Sequence, residues 1–267
     1  RAVEGHGARC RSMAAGGTED NRGSESETTS WSSRLRCEAD TQEPKPRFLQ
    51  KKGTMTVPRK RFVALRPGDR VAVVAPAGPF DAAELAWGLD ALSAMGFVPV
   101  LAPDLASDGA PREPLDAPAP GYLAGPDPAR IRALHWAFAT PELRAVFCVR
   151  GGFGTTRILR ALDPTLLAAD PKPIVGFSDV TALLNWAAER AHVLSVHGPV
   201  LTQLGHALAP SHHALKGLLT GAFRAGDDLL TGLRVARPGV GTGVLRGGNL
   251  SLLSVLAGTA DSIALAS

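Results

Sequence analysis

The chain has 267 residues, enough for one large domain or two small ones, and its 45% apolar and 20% charged residues are those of a globular protein. Residues 1–60 hold 12 Lys+Arg against 8 Asp+Glu and residues 61–267 hold 17 of each, so the whole net charge of +4 sits in the first 60 residues. The basic character therefore describes that segment, and no nucleic-acid-binding face is expected on the remainder.

Residues 1–60 read as a disordered extension. Ala14 to Asp20 is small and polar, a Ser/Thr-rich stretch from Ser24 to Ser33 follows, and little can be buried to offset ordering entropy. Met55 precedes the first patterned segment, which suggests a natural start there, with residues 1–54 as upstream sequence. A targeting tail is the alternative, but Glu19, Asp20, Glu25 and Glu27 are wrong for a transit peptide. No apolar run reaches about 18 residues and no charged start leads into an apolar segment, so neither a membrane span nor a secretory signal is expected. Cytoplasm is the default location. Cys10, Cys37 and Cys148 make an odd count without a disulfide framework, and Cys148, inside an apolar run, reads as a buried thiol.

From Arg61 the pattern alternates. Arg70 to Ala75 reads as a strand buried on both faces, and Asp81 to Met95 as a helix with Leu85, Leu89 and Leu92 at helical spacing and Gly96 at its end. Phe97 to Leu101 is a second strand, Ala110 to Pro120 a loop, Asp127 to Ala139 a helix and Ala145 to Val149 a third strand. Thr155 to Ala161 begins a helix, Pro173 to Phe177 is a fourth strand, and Val180 to Arg190 is the helix after it. Such alternation predicts an α/β fold, a parallel sheet with helices on both faces in a Rossmann-like domain over 61–200. Residues 201–267 read as the start of a smaller, β-rich and incomplete C-terminal domain. In it Ala214 to Leu219 is helical but weakened by Gly217, Leu229 to Val244 is β-like, and Asn249 to Leu256 is helical.

Three loops could carry chemistry. In Gly176-Phe177-Ser178-Asp179 a strand turns at once into a helix, which would hold Ser178 outward beside unpaired helix N–H groups. The bland reading is that Ser178 or Asp179 caps the helix. Arg150-Gly151-Gly152-Phe153-Gly154 follows a strand, where backbone N–H groups could approach a ligand closely, or simply make a tight turn. In Ser195-Val196-His197-Gly198-Pro199, His197 could be a base, a ligand or a packing residue. The other histidines lack metal-ligand spacing, and neither a metal nor a cofactor is expected.

Taken in order, Gly68-Asp69-Arg70-Val71 with Ala75-Pro76-Ala77-Gly78, Tyr122-Leu123-Ala124-Gly125, Val149 to Gly154, Gly176 to Leu183, His197-Gly198-Pro199 and Gly247-Gly248-Asn249-Leu250 resemble the LD-carboxypeptidase family across roughly residues 65–260. The resemblance implies a metal-free Ser–His–Glu peptidase that removes terminal D-alanine from an L,D-linked murein tetrapeptide during cell-wall recycling. It makes Ser178 the nucleophile and gives the oxyanion the N–H groups of Asp179 and of Gly151 or Gly152. It also sets the family's Glu and His after the Gly-Gly-Asn-Leu segment, beyond Ser267, so the 267 residues alone are expected to be inactive. A microcin C-type self-immunity peptidase and a non-catalytic binding remnant are the alternatives. A class I amidotransferase would need Cys where Ser178 stands. The partner expected is a murein peptide, with no nucleic acid and no membrane, and a homodimer is held open.

Overall fold

The computed structural model describes residues 60–103, 121–223 and 245–263, together with Leu105, Arg234 and Ala236. The extension expected over 1–60, apart from Lys60, and most of the β-like stretch 229–244 lie outside the described residues.

Five strands form one parallel sheet: β1 (Arg70–Val74), β2 (Val98–Leu101), β3 (Leu143–Cys148), β4 (Ile174–Gly176) and β5 (Val196–His197), in the order β2-β1-β3-β4-β5. β3 is the central strand and β1 lies beside it, between β2 and β3; Val71, Ala72, Val73 and Val74 of β1 are all fully buried, each valine contributing roughly 1.5–3 kcal/mol by leaving water. β2 is an edge, which suits Pro99, since proline cannot donate to a second neighbour. The helices are α1 (Ala82–Ala94), α2 (Asp127–Ala139), α3 (Thr155–Ile158), α4 (Pro164–Ala169), α5 (Thr181–Trp186), α6 (Leu201–Leu204), α7 (Ala209–Thr220) and α8 (Leu250–Leu256).

Local chemistry explains the helix ends. Asp81 caps α1 by accepting from the N–H groups of Ala83 and Glu84, and Gly96 beyond it takes φ +94°. At α2 the ammonium of the buried Lys172 donates to the carbonyls of Ala137, Phe138 and Thr140 at 3.1, 2.8 and 2.6 Å. A cation suits that negative helix end, although burial pulls the Lys172 ammonium below its ordinary range. The helix expected over 180–190 divides into a 3-10 turn at Ser178–Val180, α5, and a π turn at Ala187–Ala191 that ends at His192 with φ +56°. Gly217 lies inside α7, which forms through it. A Cβ there would meet the ring of Phe223 at 2.2 Å, so only glycine admits that ring. Leu201, Leu204, Leu215 and Leu219 share the core of β1 and β3, and Cys148 is a fully buried thiol whose pKa burial pushes up.

The order of the strands has a consequence for ligands. From β1 the chain steps outward to β2, then returns across β1 to β3, so the strand order reverses between the neighbours β1 and β3, which leaves a crevice at their carboxyl ends. Open parallel sheets bind ligands in that crevice.

Candidate active site

The loop after β1 (Pro76 to Pro79) and the loop after β3 (Arg150 to Gly154) meet across the crevice. The N–H of Gly78 donates to the carbonyl of Gly151 at 3.0 Å, and a Cβ on Gly152 would lie 3.1 Å from the Cα of Gly78. The turn after β4 enters from the other side. Ser178 holds φ +60°, a left-handed backbone that a residue with a Cβ rarely adopts. A side chain at Gly176 would strike Val180 at 2.7 Å, so the tight entry to this turn requires glycine.

Gly151 faces Ser178 at close range. A Cβ built on Gly151 would sit 2.8 Å from the Cβ of Ser178, 3.1 Å from its Oγ and 3.6 Å from the backbone nitrogen of Asp179. The backbone of one loop therefore lies against the hydroxyl and the following N–H of the other. The Asp179 side chain does not face this space. It is buried, and its Oδ2 accepts from the N–H and the Oγ1 of Thr155 at 2.8 and 2.6 Å, tying the Ser178 turn to the start of α3. Neither Ser178 nor Asp179 caps the helix that follows the turn, since no side-chain cap bond is present there.

A buried guanidinium organises the same edge. Arg130 donates to the carbonyls of Gly125 and Gly154 at 3.1 and 3.0 Å and to that of Pro76, joining three loops. Its charge is matched by Asp127 at 2.5 Å, which Arg157 also pairs at 2.9 Å. Desolvation pushes the Asp127 carboxyl up, but Arg157 and Arg130 outweigh it and hold the group below its usual range.

Above Ser178 lies an open cleft of about 540 Å³. Besides Ser178, Gly151, Gly152 and Phe177 it is lined by Glu84, Arg150, Thr202, Gln203 and His206. His206 packs edge-on against Trp87 at 4.8 Å. His197 is placed elsewhere: it is exposed, lies 6.3 Å from the ring of Phe177, and lines a separate cavity with Asn185, Ser195 and Arg246. Ser178, Asp179, Gly151 and Gly152 are thus brought together as their loops predict. Glu84, Arg150, Gln203 and His206 were not singled out as site residues. The one available signal was that Arg150 begins the glycine loop. Among the described residues no Oγ hydrogen bond joins Ser178 to a base, no cluster of His, Cys, Asp or Glu could hold a metal, and no helix is long and apolar enough to cross a membrane.

Residues 71–198 match the model of the LD-carboxypeptidase N-terminal domain. A probable murein peptide carboxypeptidase of Bacillus subtilis is 36% identical over 201 residues, covering 73% of this chain and 59% of that protein. A crystal structure of a muramoyltetrapeptide carboxypeptidase from Oxalobacter formigenes is similar with a TM-score of 0.57 at 25% identity, over 73% of this chain and 62% of that one. The microcin C7 self-immunity protein in complex with aspartyl sulfamoyl adenosine shares the fold with a TM-score of 0.60 at 19% identity, over 76% of this chain and 67% of that one. The chain spans about three fifths of the length of the curated relatives it matches, at 62%, 59% and 60%.

Proposed function

Since this chain belongs to the LD-carboxypeptidase family, we propose that Ser178 is the nucleophile of a serine carboxypeptidase that releases the terminal D-alanine of an L,D-linked murein tetrapeptide. The observation that carries this reading is the left-handed Ser178 pressed against the backbone of Gly151. A strained turn of this kind holds a hydroxyl outward at the carboxyl edge of a sheet.

In the proposed reaction Oγ of Ser178 attacks the carbonyl of the L-centre. The N–H of Asp179 and one from Gly151 or Gly152 donate to the developing oxyanion, each such donor contributing roughly 3–4 kcal/mol. The proton of Oγ passes through a base to the departing amine, D-alanine leaves, and water then hydrolyses the acyl-enzyme. The Asp179 carboxylate takes no proton in this scheme, since it is committed to Thr155. The family resemblance assigns base and acid to a His and a Glu of the second domain, which we infer opens within residues 201–267. Leu245, Leu250 and Val255, exposed at 98, 77 and 70%, support that, because a further domain or a second copy would cover them. A cytoplasmic location, a homodimer and catalysis without a metal belong to the same reading. A self-immunity peptidase acting on a microcin-like aminoacyl nucleotide is the second reading, supported by the shared fold and by 29% identity over 80 residues to the microcin C7 self-immunity protein of Escherichia coli.

The test is D-alanine release from a murein tetrapeptide by three proteins: the 267-residue chain, the chain joined to a family second domain, and the Ser178→Ala variant of the latter. Release is expected from the joined protein only, undiminished by chelators. Loss of a triad base leaves only residual catalysis, with a rate loss on the order of a millionfold. Full activity in the 267 residues alone would make His206, which shares the cleft, the base. Undiminished activity in Ser178→Ala would remove Ser178 from the mechanism.

A further inference from the structure

An enzyme that removes a single C-terminal residue must hold the terminal carboxylate one residue away from its nucleophile. The cleft above Ser178 contains one guanidinium, that of Arg150, and among the described residues no carboxylate pairs with it. Arg150 immediately precedes Gly151, whose backbone lies against Ser178, so the Cα atoms of Arg150 and Gly151 are about 3.8 Å apart. Its Nη1 donates to the carbonyl of Pro79 at 2.8 Å, which fixes the side chain to the loop after β1. A guanidinium has five N–H donors in a planar fork, so several donors remain after that bond. Glu84 also lines the cleft, but it lies in the first turn of α1, where the helix end offsets its charge, and it forms no ion pair with Arg150.

We propose that Arg150 receives the terminal carboxylate of the peptide and so makes the site an exopeptidase site. This rests on the peptidase reading of Ser178. The pairing is of the charge-assisted, forked type that discriminates an ionised carboxylate from an uncharged amide. It leaves the scissile carbonyl, one residue upstream, over Ser178 and the N–H groups around it.

The experiment titrates the intact chain with N-acetyl-L-lysyl-D-alanine and, separately, with its C-terminal amide, following backbone amide shifts by NMR. The acid is expected to bind about tenfold or more tightly than the amide, with shifts at Gly151, Gly152 and Asp179. Arg150→Gln is expected to erase the preference, and Arg150→Lys to retain part of it. Melting curves of both variants establish that they remain folded, and a purely structural tie to Pro79 would leave the acid-to-amide ratio unchanged. Equal binding of acid and amide by the unsubstituted chain overturns the role of Arg150 while leaving Ser178 as a peptidase nucleophile. A preference that survives Arg150→Gln overturns it as well. Binding of neither peptide overturns the peptidase reading and this proposal with it.

Discussion

The carboxyl edge of the sheet and the segment around α8 are built on opposite principles. At the edge, position is fixed by what is missing: Gly151, Gly152 and Gly176 let three backbones approach where a single Cβ would collide. One buried arginine then fastens the loops. The α8 segment is anchored by a few polar contacts on α5, the helix directly behind Ser178. The N–H of Asn249 donates to Oγ1 of Thr181 at 3.0 Å, and Nδ2 of Asn185 donates to the carbonyls of Thr181 at 2.9 Å and Gly247 at 3.4 Å. Of α8 itself only Leu256 is buried. Tight backbone packing fixes the edge by itself, while at α8 polar contacts hold a helix whose Leu250 and Val255 stay exposed.

Substitutions should separate the two regimes. The largest effect is expected from Arg130→Met, which leaves the carbonyls of Pro76, Gly125 and Gly154 without their donor and Asp127 without its inner partner. A loss of about 3 kcal/mol is expected in urea unfolding, with the Ser178 loops exchanging amide protons faster than β1. The same network sets an acid limit. Asp127 is held below its ordinary value, so its contribution is complete above the unfolded pKa near 4 and is lost as pH falls through the depressed folded value. Melting temperature below about pH 4 should therefore fall more steeply in the unsubstituted chain than in Arg130→Met.

Next comes Gly151→Ala. Its methyl would sit 2.8 Å from the Cβ of Ser178, and a cost of about 2 kcal/mol is expected together with loss of D-alanine release in the joined protein. Ser178→Gly should do the reverse for stability. It relieves the left-handed strain and raises stability by about 1 kcal/mol while abolishing turnover, a split readable from one melting curve and one assay. The smallest effect belongs to the other region. Leu250→Ser, at a side chain 77% exposed, should change stability by less than about 0.5 kcal/mol, and a larger loss would mean that α8 is packed more tightly than it looks.

Much of this architecture was legible beforehand, because buried parallel strands and capped helices write continuous apolar runs and cap residues into the chain. The bounds of α2 follow from its pattern, and the Ser178 turn from a strand meeting a helix without a linker. What was not legible depends on distance in space. β5 has two residues and α6 four, too short to show a period, yet α6 is what brings Gln203 and His206 to the cleft. Asp179 looks like a cap for the helix that follows it and instead binds Thr155, 24 positions earlier. The burial of Lys172 is likewise explained by the distant carbonyls at the end of α2.

For the nucleophile proposed at Ser178, the left-handed backbone also restricts which side chains this turn can carry. Threonine, branched at Cβ, crowds its own carbonyl in that conformation and would be disfavoured by more than the 1–2 kcal/mol, roughly, that an unbranched residue loses. Cysteine has the same single branch as serine and suffers no such penalty. A lineage drifting through point changes at this position could therefore exchange oxygen for sulfur and remain folded, but would find the threonine hydroxyl closed to it by the backbone before chemistry was ever tried.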